Sequence, residues 1–238
     1  MDVTTWNIHH NANVGKLAIL ARVSQVICLQ EVHADIIDAW KLKKEGKYFL
    51  GKRKIGTASG IWNILYWNND RTKNRTMGLA ILWKNGKNGL EMSDGGVYTF
   101  RKHDGPPSET RGLPWIVAED KNTPPIRIYS YHSVSSGDNS KHVAHVNNLM
   151  TSLMPYPNEV TFGDFNMRAH YYKLQINNLP KEYGLSLAAS PLGKPSRPKS
   201  GKNLDYAVFK NGIKVKFNQR IPISDSDHMP MNFSVRRV

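Results

Sequence analysis

Two short segments carry residue types that can move protons and bind phosphate. Ser226-Asp227-His228 sets an imidazole beside a carboxylate near the C-terminus. Gly163-Asp164-Phe165-Asn166 offers a carboxylate and an amide on a backbone that glycine allows to approach its neighbours closely. Asn7, Gln30, Glu31, His132 and Asp205 stand singly, each at the start or end of an apolar, strand-like run. Hydrolysis of a phosphodiester requires an oxygen-ligated hard cation, a base for water, charge stabilisation on the phosphoryl oxygens and help for the departing oxygen. The set contains a residue type for every task. A buried Asp205 demands a strong partner, and His228 is one. A carboxylate there would fix one imidazole tautomer and raise its basicity, leaving the second nitrogen to take a proton from water.

Each residue also has a plainer explanation. Glu31 reads equally as a solvated strand end, Asn7 as a partner for loop backbone, His132 as a core histidine and Asp164 to Asn166 as turn chemistry. Convergence would decide between the two, and convergence depends on strands that end along one rim. The hydrophobic pattern predicts strands over Val3 to Ile8, Val26 to Gln30, Tyr48 to Leu50, Ile61 to Trp67 and Met77 to Trp83. Further strands are expected over Trp115 to Ala118, Ile126 to His132, Glu159 to Phe162, Asp205 to Phe209, Ile213 to Phe217 and Met231 to Val235. Helical spacing appears over Lys16 to Val23, Ala34 to Lys43 and, most clearly, Asp138 to Met154. Arg101 to Pro114 and Leu192 to Lys202 are rich in charge, glycine and proline and read as loops. Many strands with few helices fit two packed sheets flanked by helices.

Composition narrows the partners. Lysine and arginine number 33 against 19 acidic residues, a formal charge of +14 that attracts polyanions. Nucleic acid is the first partner class, and a phosphoinositide headgroup or an anionic membrane surface is the second. No run approaches the roughly eighteen apolar residues of a membrane span. Cys28 is the sole cysteine, so an intramolecular disulfide and a thiolate-rich metal site are both excluded. Its apolar setting reads as a buried, inert thiol.

Thr5-Trp6-Asn7, Gln30-Glu31, Gly163-Asp164-Phe165-Asn166, Leu204-Asp205-Tyr206-Ala207 and Ser226-Asp227-His228-Met229-Pro230 follow the order found in the endonuclease/exonuclease/phosphatase superfamily. Within it the chain resembles the B subunit of cytolethal distending toxins, and the anchors run from residue 5 to residue 230. The resemblance implies an α/β fold, a four-layer α/β/β/α sandwich of the deoxyribonuclease I-like type, filling residues 1–238 as one domain. It also implies a divalent-metal-dependent endonuclease acting on DNA as a toxin's catalytic subunit. Glu31 then resembles the principal Mg2+ ligand (Mn2+ or Ca2+ being alternatives), with Asn7 and Asp227 nearby. His228 is similar to the general base, oriented by Asp205. Asp164 and Asn166 match residues that position phosphate or nucleophile, His132 the second, phosphate-contacting histidine, and Arg111 a phosphate-contacting arginine. Lectin-like delivery subunits, secretion and entry into a host nucleus are implied by the same likeness alone. Hydrolysis of phosphatidylinositol 3,4,5-trisphosphate and a non-enzymatic basic binding module are the competing functions. One departure stands out: no secure match exists for the glutamate that deoxyribonuclease I sets beside the histidine resembling His132.

Overall fold

The computed structural model describes residues 1–9, 14–55, 60–68, 77–84, 91–101, 110–120, 123–133, 158–178, 184–191, 193–223 and 226–238. The helix expected over Asp138 to Met154 lies outside them.

The described strands form two sheets. The first contains β1 (Asp2–Asn7), β2 (Val26–His33), β3 (Lys43–Glu45), β4 (Tyr48–Lys54), β5 (Ile61–Asn68), β6 (Met77–Lys84), β13 (Ile213–Arg220) and β14 (Met231–Arg237), in the order β13-β14-β1-β2-β6-β5-β4-β3. The second contains β7 (Glu91–Arg101), β8 (Thr110–Asp120), β9 (Thr123–His132), β10 (Glu159–Asp164), β11 (Leu185–Ala188) and β12 (Asp205–Lys210), in the order β11-β12-β10-β9-β8-β7. Each sheet has a parallel pair at its centre, β1 with β2 and β9 with β10, and its other pairings are antiparallel.

Alternation along the strands builds three apolar layers. Val3, Val26, Cys28, Leu65 and Ile81 of the first sheet meet Ile116, Ile128, Val160, Phe162 and Ala207 of the second to fill the space between them. Burial pushes the Cys28 thiol well above its ordinary pKa, as an inert core residue requires. On the outer face of the first sheet, α1 (Val14–Val23) lays Leu17 and Leu20 against Trp6, Ile27 and Leu29, with Ile36 of α2 (Ile36–Ala39) alongside. On the outer face of the second, α3 (Ala169–Asn177) buries Tyr172 and Ile176 against Tyr129, Tyr131 and Tyr206. The expected α/β sandwich of two sheets with outer helices is the observed arrangement.

Several local expectations change. Helical spacing over Ala34 to Lys43 yields only the single turn of α2, because Lys41 takes φ +52° and redirects the chain into β3. Thr110 to Pro114, read as loop, is strand: Gly112 pairs with Thr99 and Pro114 with Val97. Gly112 serves packing rather than turning, since a Cβ there would sit 2.3 Å from the Trp67 ring. α3, β7 and β11 had no clear periodic signal.

The two middle sheets share one further feature that positions chemistry. The inward-facing rows run from apolar to polar toward the same rim: Val3, Thr5, Asn7 on β1; Ile128, Ser130, His132 on β9; Val160, Phe162, Asp164 on β10; Phe209, Ala207, Asp205 on β12. Just beneath the rim Gln30 bridges the sheets. Thr5 Oγ1 donates to Gln30 Oε1 at 3.2 Å, and Gln30 Nε2 donates to Ser130 Oγ at 3.1 Å. Gln30, a rim residue by sequence position, is thus a fully buried tie between layers.

Candidate active site

Parallel pairing sets Asn7 opposite Gln30 and Asp164 opposite His132, while antiparallel pairing sets Asp164 opposite Asp205. Three inward carboxylate and imidazole positions are therefore fixed by register alone. Gly163 permits the β9–β10 approach, because a Cβ on it would fall 1.8 Å from the Tyr131 carbonyl oxygen. Glu31 needs a separate device. Simple alternation after Gln30 would turn it away from the inner face. The β2–β6 register instead shifts between Leu29 and Val32, and Glu31 adopts φ +54°. Such a bulge re-aims a side chain, and the left-handed conformation of a non-glycine residue costs about 1–3 kcal/mol. Asn166 and His9 also have positive φ, +51° and +45°, so three of the four left-handed non-glycine residues among those described border the same cluster.

His228 Nδ1 lies 2.7 Å from Asp205 Oδ2. Both residues are buried, and the second oxygen of Asp205 has no hydrogen-bond partner among the described residues. The imidazole is therefore the main compensation for that carboxylate. Its position is fixed from behind: Trp6 Nε1 donates to the His228 carbonyl oxygen at 3.0 Å, and Ser226 Oγ accepts from His228 N at 3.1 Å. Ser226 Oγ also donates to the Asn7 carbonyl at 2.7 Å, joining the C-terminal loop to β1. The fully buried Ser196 Oγ accepts from Leu204 N and Asp205 N, and the Ser196 carbonyl accepts from Met229 N at 2.7 Å. No sequence motif marked Ser196.

The free ring nitrogen, His228 Nε2, faces Asp164 Oδ2 at 3.7 Å and Asp227 Oδ1 at 4.0 Å. Across the mouth, Asn7 Nδ2 donates both to Asp164 Oδ2 at 3.0 Å and to Glu31 Oε1 at 2.9 Å. Asn7 Oδ1 is used by the His9 amide at 3.1 Å, which turns the NH2 group toward the carboxylates. His132 Nε2 stands 3.5 Å from Glu31 Oε1 and 3.8 Å from Asp164 Oδ2, with Asn166 Nδ2 at 3.3 Å. Asn166 also donates its backbone N–H to Asp164 Oδ1 at 2.8 Å and its side chain to the Ser133 carbonyl at 3.0 Å. His9 was not anticipated; its Nδ1 reaches Glu31 Oε2 at 3.3 Å.

Seven of the sequence candidates thus meet directly: Asn7, Glu31, His132, Asp164, Asn166, Asp205 and His228. Asp227 stands at the rim, where it pairs with Arg197 and lies 4.0 Å from His228 Nε2. Arg111 lies in β8, but its side chain lies outside the described residues.

Burial disfavours the charged form of His228, yet the Asp205 carboxylate and its hydrogen bond, helped by Asp164 and Asp227, raise its pKa to about 9. Burial, then repulsion from Asp205, also raises the Asp164 carboxyl above its ordinary value, against opposing pulls from His228, His132 and Asn7. A raised imidazole pKa contributes stability that is complete below the unfolded value and lost as pH rises through the folded one. The metal-free protein should therefore lose on the order of 3 kcal/mol between pH 6.5 and about 9 from His228. Thermal melts in chelator across that range check this, and a flat profile, or one unchanged by His228→Ala, contradicts it.

Asp164, Asp205 and His228 each bring one ligand atom within 4.8 Å of the others, a buried group that can hold a divalent cation. Asp205 Oδ2 is committed to His228, however, whereas Glu31 and Asp164 point oxygens at the same amide of Asn7. Hard cations prefer such oxygen sets, and a positive charge there would relieve the repulsion that raises Asp164. The residues fit a magnesium-type ion best at the Glu31–Asp164 side.

A family model described as the endonuclease/exonuclease/phosphatase family matches residues 4–228. The chain belongs to that family. No curated protein sequence matches it. Among solved structures, the fold is similar to the cytolethal distending toxin of Haemophilus ducreyi, with TM-score 0.65, 17% identity, and coverage of 99% of this chain and 98% of that one. It is also similar to a functionally unknown conserved protein of Enterococcus faecalis V583, with TM-score 0.67, 16% identity and full coverage of both chains. The endonuclease domain of TRAS1, a telomere-specific non-LTR retrotransposon, gives TM-score 0.61, 14% identity, and coverage of 99% and 98%. At such identities the likeness establishes the fold. Family membership and the buried acidic and histidine cluster together support a metal-dependent, nuclease-like site.

Proposed function

We propose that the protein is a divalent-metal-dependent endonuclease that hydrolyses DNA phosphodiester bonds. The observation that carries this reading is the pairing, in one mouth between the sheets, of an Asp205–His228 dyad with an Asn7–Glu31–Asp164 oxygen cluster. His228, held by Asp205, takes the proton of the attacking water through Nε2. Asp164, 3.7 Å from that nitrogen, orients the nucleophile. Asn166 and His132 offer donors to the phosphoryl oxygens, and His132, at the more open side, serves the departing oxygen. A magnesium ion on Glu31 and Asp164 would neutralise phosphate charge as a Lewis acid. Asn7 keeps the two carboxylates on one donor and so prearranges them. The +14 charge favours a polyanionic substrate, the endonuclease domain among the fold's relatives favours DNA, and the toxin structures favour a toxin role.

The decisive assay presents supercoiled DNA and a soluble phosphoinositide to the purified protein with magnesium or chelator. Magnesium-dependent nicking without phosphate release is the expected result. Phosphate release without nicking would move the substrate to lipid, and failure of both would leave only a binding module. Glu31→Gln keeps the size but removes the charge, and should weaken magnesium binding about 10- to 100-fold by calorimetry while leaving the fold intact. Unchanged magnesium affinity would remove Glu31 from the cation site.

A further inference from the structure

Two clefts adjoin the candidate site on the side of α3. The first, about 400 Å³, starts at Asn166 and is lined by Arg168, His170, Tyr171, Arg197 and Lys202. The second, about 650 Å³, runs on between α3 and the strands β11 and β13, and shares Arg168, His170 and Lys202 with the first. They form one groove from the chemistry to the edge of the sandwich. Its wall carries cations throughout, with Lys173 and Lys216 flanking the far part, and among the described residues no aspartate or glutamate lines either cleft. Among the described residues only Arg197 of these cations has a carboxylate partner, Asp227. The far cleft adds a surface of a different kind: Leu187, Ala188, Val215 and Phe217 line it beside these cations and give it an apolar part.

We propose that this groove binds an unpaired nucleic-acid strand continuous with the scissile phosphate. The occupant rests on the nuclease reading above, and the groove specifies it further. Like-charged residues set along a recess with few counter-ions repel one another and gain most from a ligand that carries regularly spaced negative charge. Each cleft falls in the range of about 300–1,000 Å³ that suits a small-molecule-sized unit such as one or two nucleotides. The apolar part decides between single and double strands. A duplex presents phosphates outward and keeps its bases stacked inside, so it touches the cationic rim but cannot reach Phe217. An unpaired strand can lay its phosphates along the lysines and its bases on the apolar part, the combination that single-strand binders use. Tyr171 at the first cleft offers a second ring on the same path.

The test uses Lys173→Glu/Lys216→Glu, two exposed positions outside the catalytic cluster, leaving Phe217 in place because it packs edge-on against Phe233 at 5.7 Å. Binding of a labelled oligothymidylate of about twelve nucleotides and of a blunt duplex of equal length is measured in chelator over a range of salt. Cleavage of bis(p-nitrophenyl) phosphate with magnesium serves as the control, and should match the parent. The expected result is roughly tenfold or greater weakening for the single strand, a salt slope shallower by about one, and a change under about threefold for the duplex. Equal weakening of both, or no weakening of the single strand, overturns the proposal. So does a loss confined to phosphoinositide-containing vesicles. If the parent cleaves no diester yet shows the predicted binding pattern, the nuclease reading fails and the strand-binding groove stands.

Discussion

His228→Ala is expected to lower magnesium-dependent DNA cleavage about 10²- to 10⁴-fold while leaving DNA affinity in chelator nearly unchanged. The imidazole is buried on the floor of the site, 2.7 Å from Asp205, with its other nitrogen 3.7 Å from Asp164, so its loss removes a proton acceptor rather than a surface contact. Its protonation state should be visible in the pH profile. A base must be neutral to act, and a pKa of about 9 in the metal-free protein leaves it mostly protonated at pH 7. The rate should rise with pH toward that value. Positive charge on Glu31 and Asp164 opposes protonation, so the limb should move below 9 with magnesium bound. Asp205→Asn should shift the limb lower still and reduce the maximal rate, because it removes the strongest upward influence and the partner that fixes the tautomer. A His228→Ala variant that cleaves within about threefold of the parent would remove His228 from the base role.

How far the sequence could reach depended on what set each residue's position. Strand period and pairing register are local properties, and they explain why Asn7, His132, Asp164 and Asp205 could be placed at one rim from apolar runs alone. The ordered motifs added His228. Glu31 was found by motif, but its route into the site was not legible, since it depends on a bulge and a left-handed backbone that only the paired strand reveals. The pairing of Asp227 with Arg197, thirty residues away in the chain, was likewise not legible, because sequence adjacency to His228 says nothing of it. Ser196 and the cationic groove escaped notice for a related reason: they arise where a proline-containing loop packs under two strands, and composition reads such loops as exposed. Glycine misled in the opposite sense, marking Gly112 as a break where it makes room for Trp67.

Asp164→Asn should abolish catalysis and yet make the metal-free fold more stable. Asp164 is buried, and both its desolvation and repulsion from Asp205 raise its carboxyl pKa, so its ionised form is held at a cost near neutral pH. An amide keeps the size, and its single carbonyl oxygen can accept from Asn7 or from Asn166 N but not from both, since these bond to opposite oxygens of the present side chain, so one hydrogen bond worth about 1 kcal/mol is given up. It carries no charge to desolvate. For a raised carboxyl the penalty is absent below the unfolded pKa and grows as pH rises through the folded one, so the gain in melting temperature should be larger at pH 8 than at pH 5. A net gain of about 1 kcal/mol is the expected scale, because the desolvated charge is already partly offset by Asn7, His228 and His132 and one hydrogen bond is lost with it. Magnesium should reverse the order. The parent gains stability on adding the ion because the cation neutralises Glu31 and Asp164 together, whereas the variant keeps only Glu31 and should gain little. Loss of catalysis should reach about a hundredfold or more, since the group facing His228 Nε2 no longer bears charge. Differential scanning calorimetry with and without magnesium separates these effects. If Asp164→Asn is less stable than the parent in chelator at pH 8, the carboxylate is instead fully compensated by its neighbours, and the functional strain assigned to this cluster is absent.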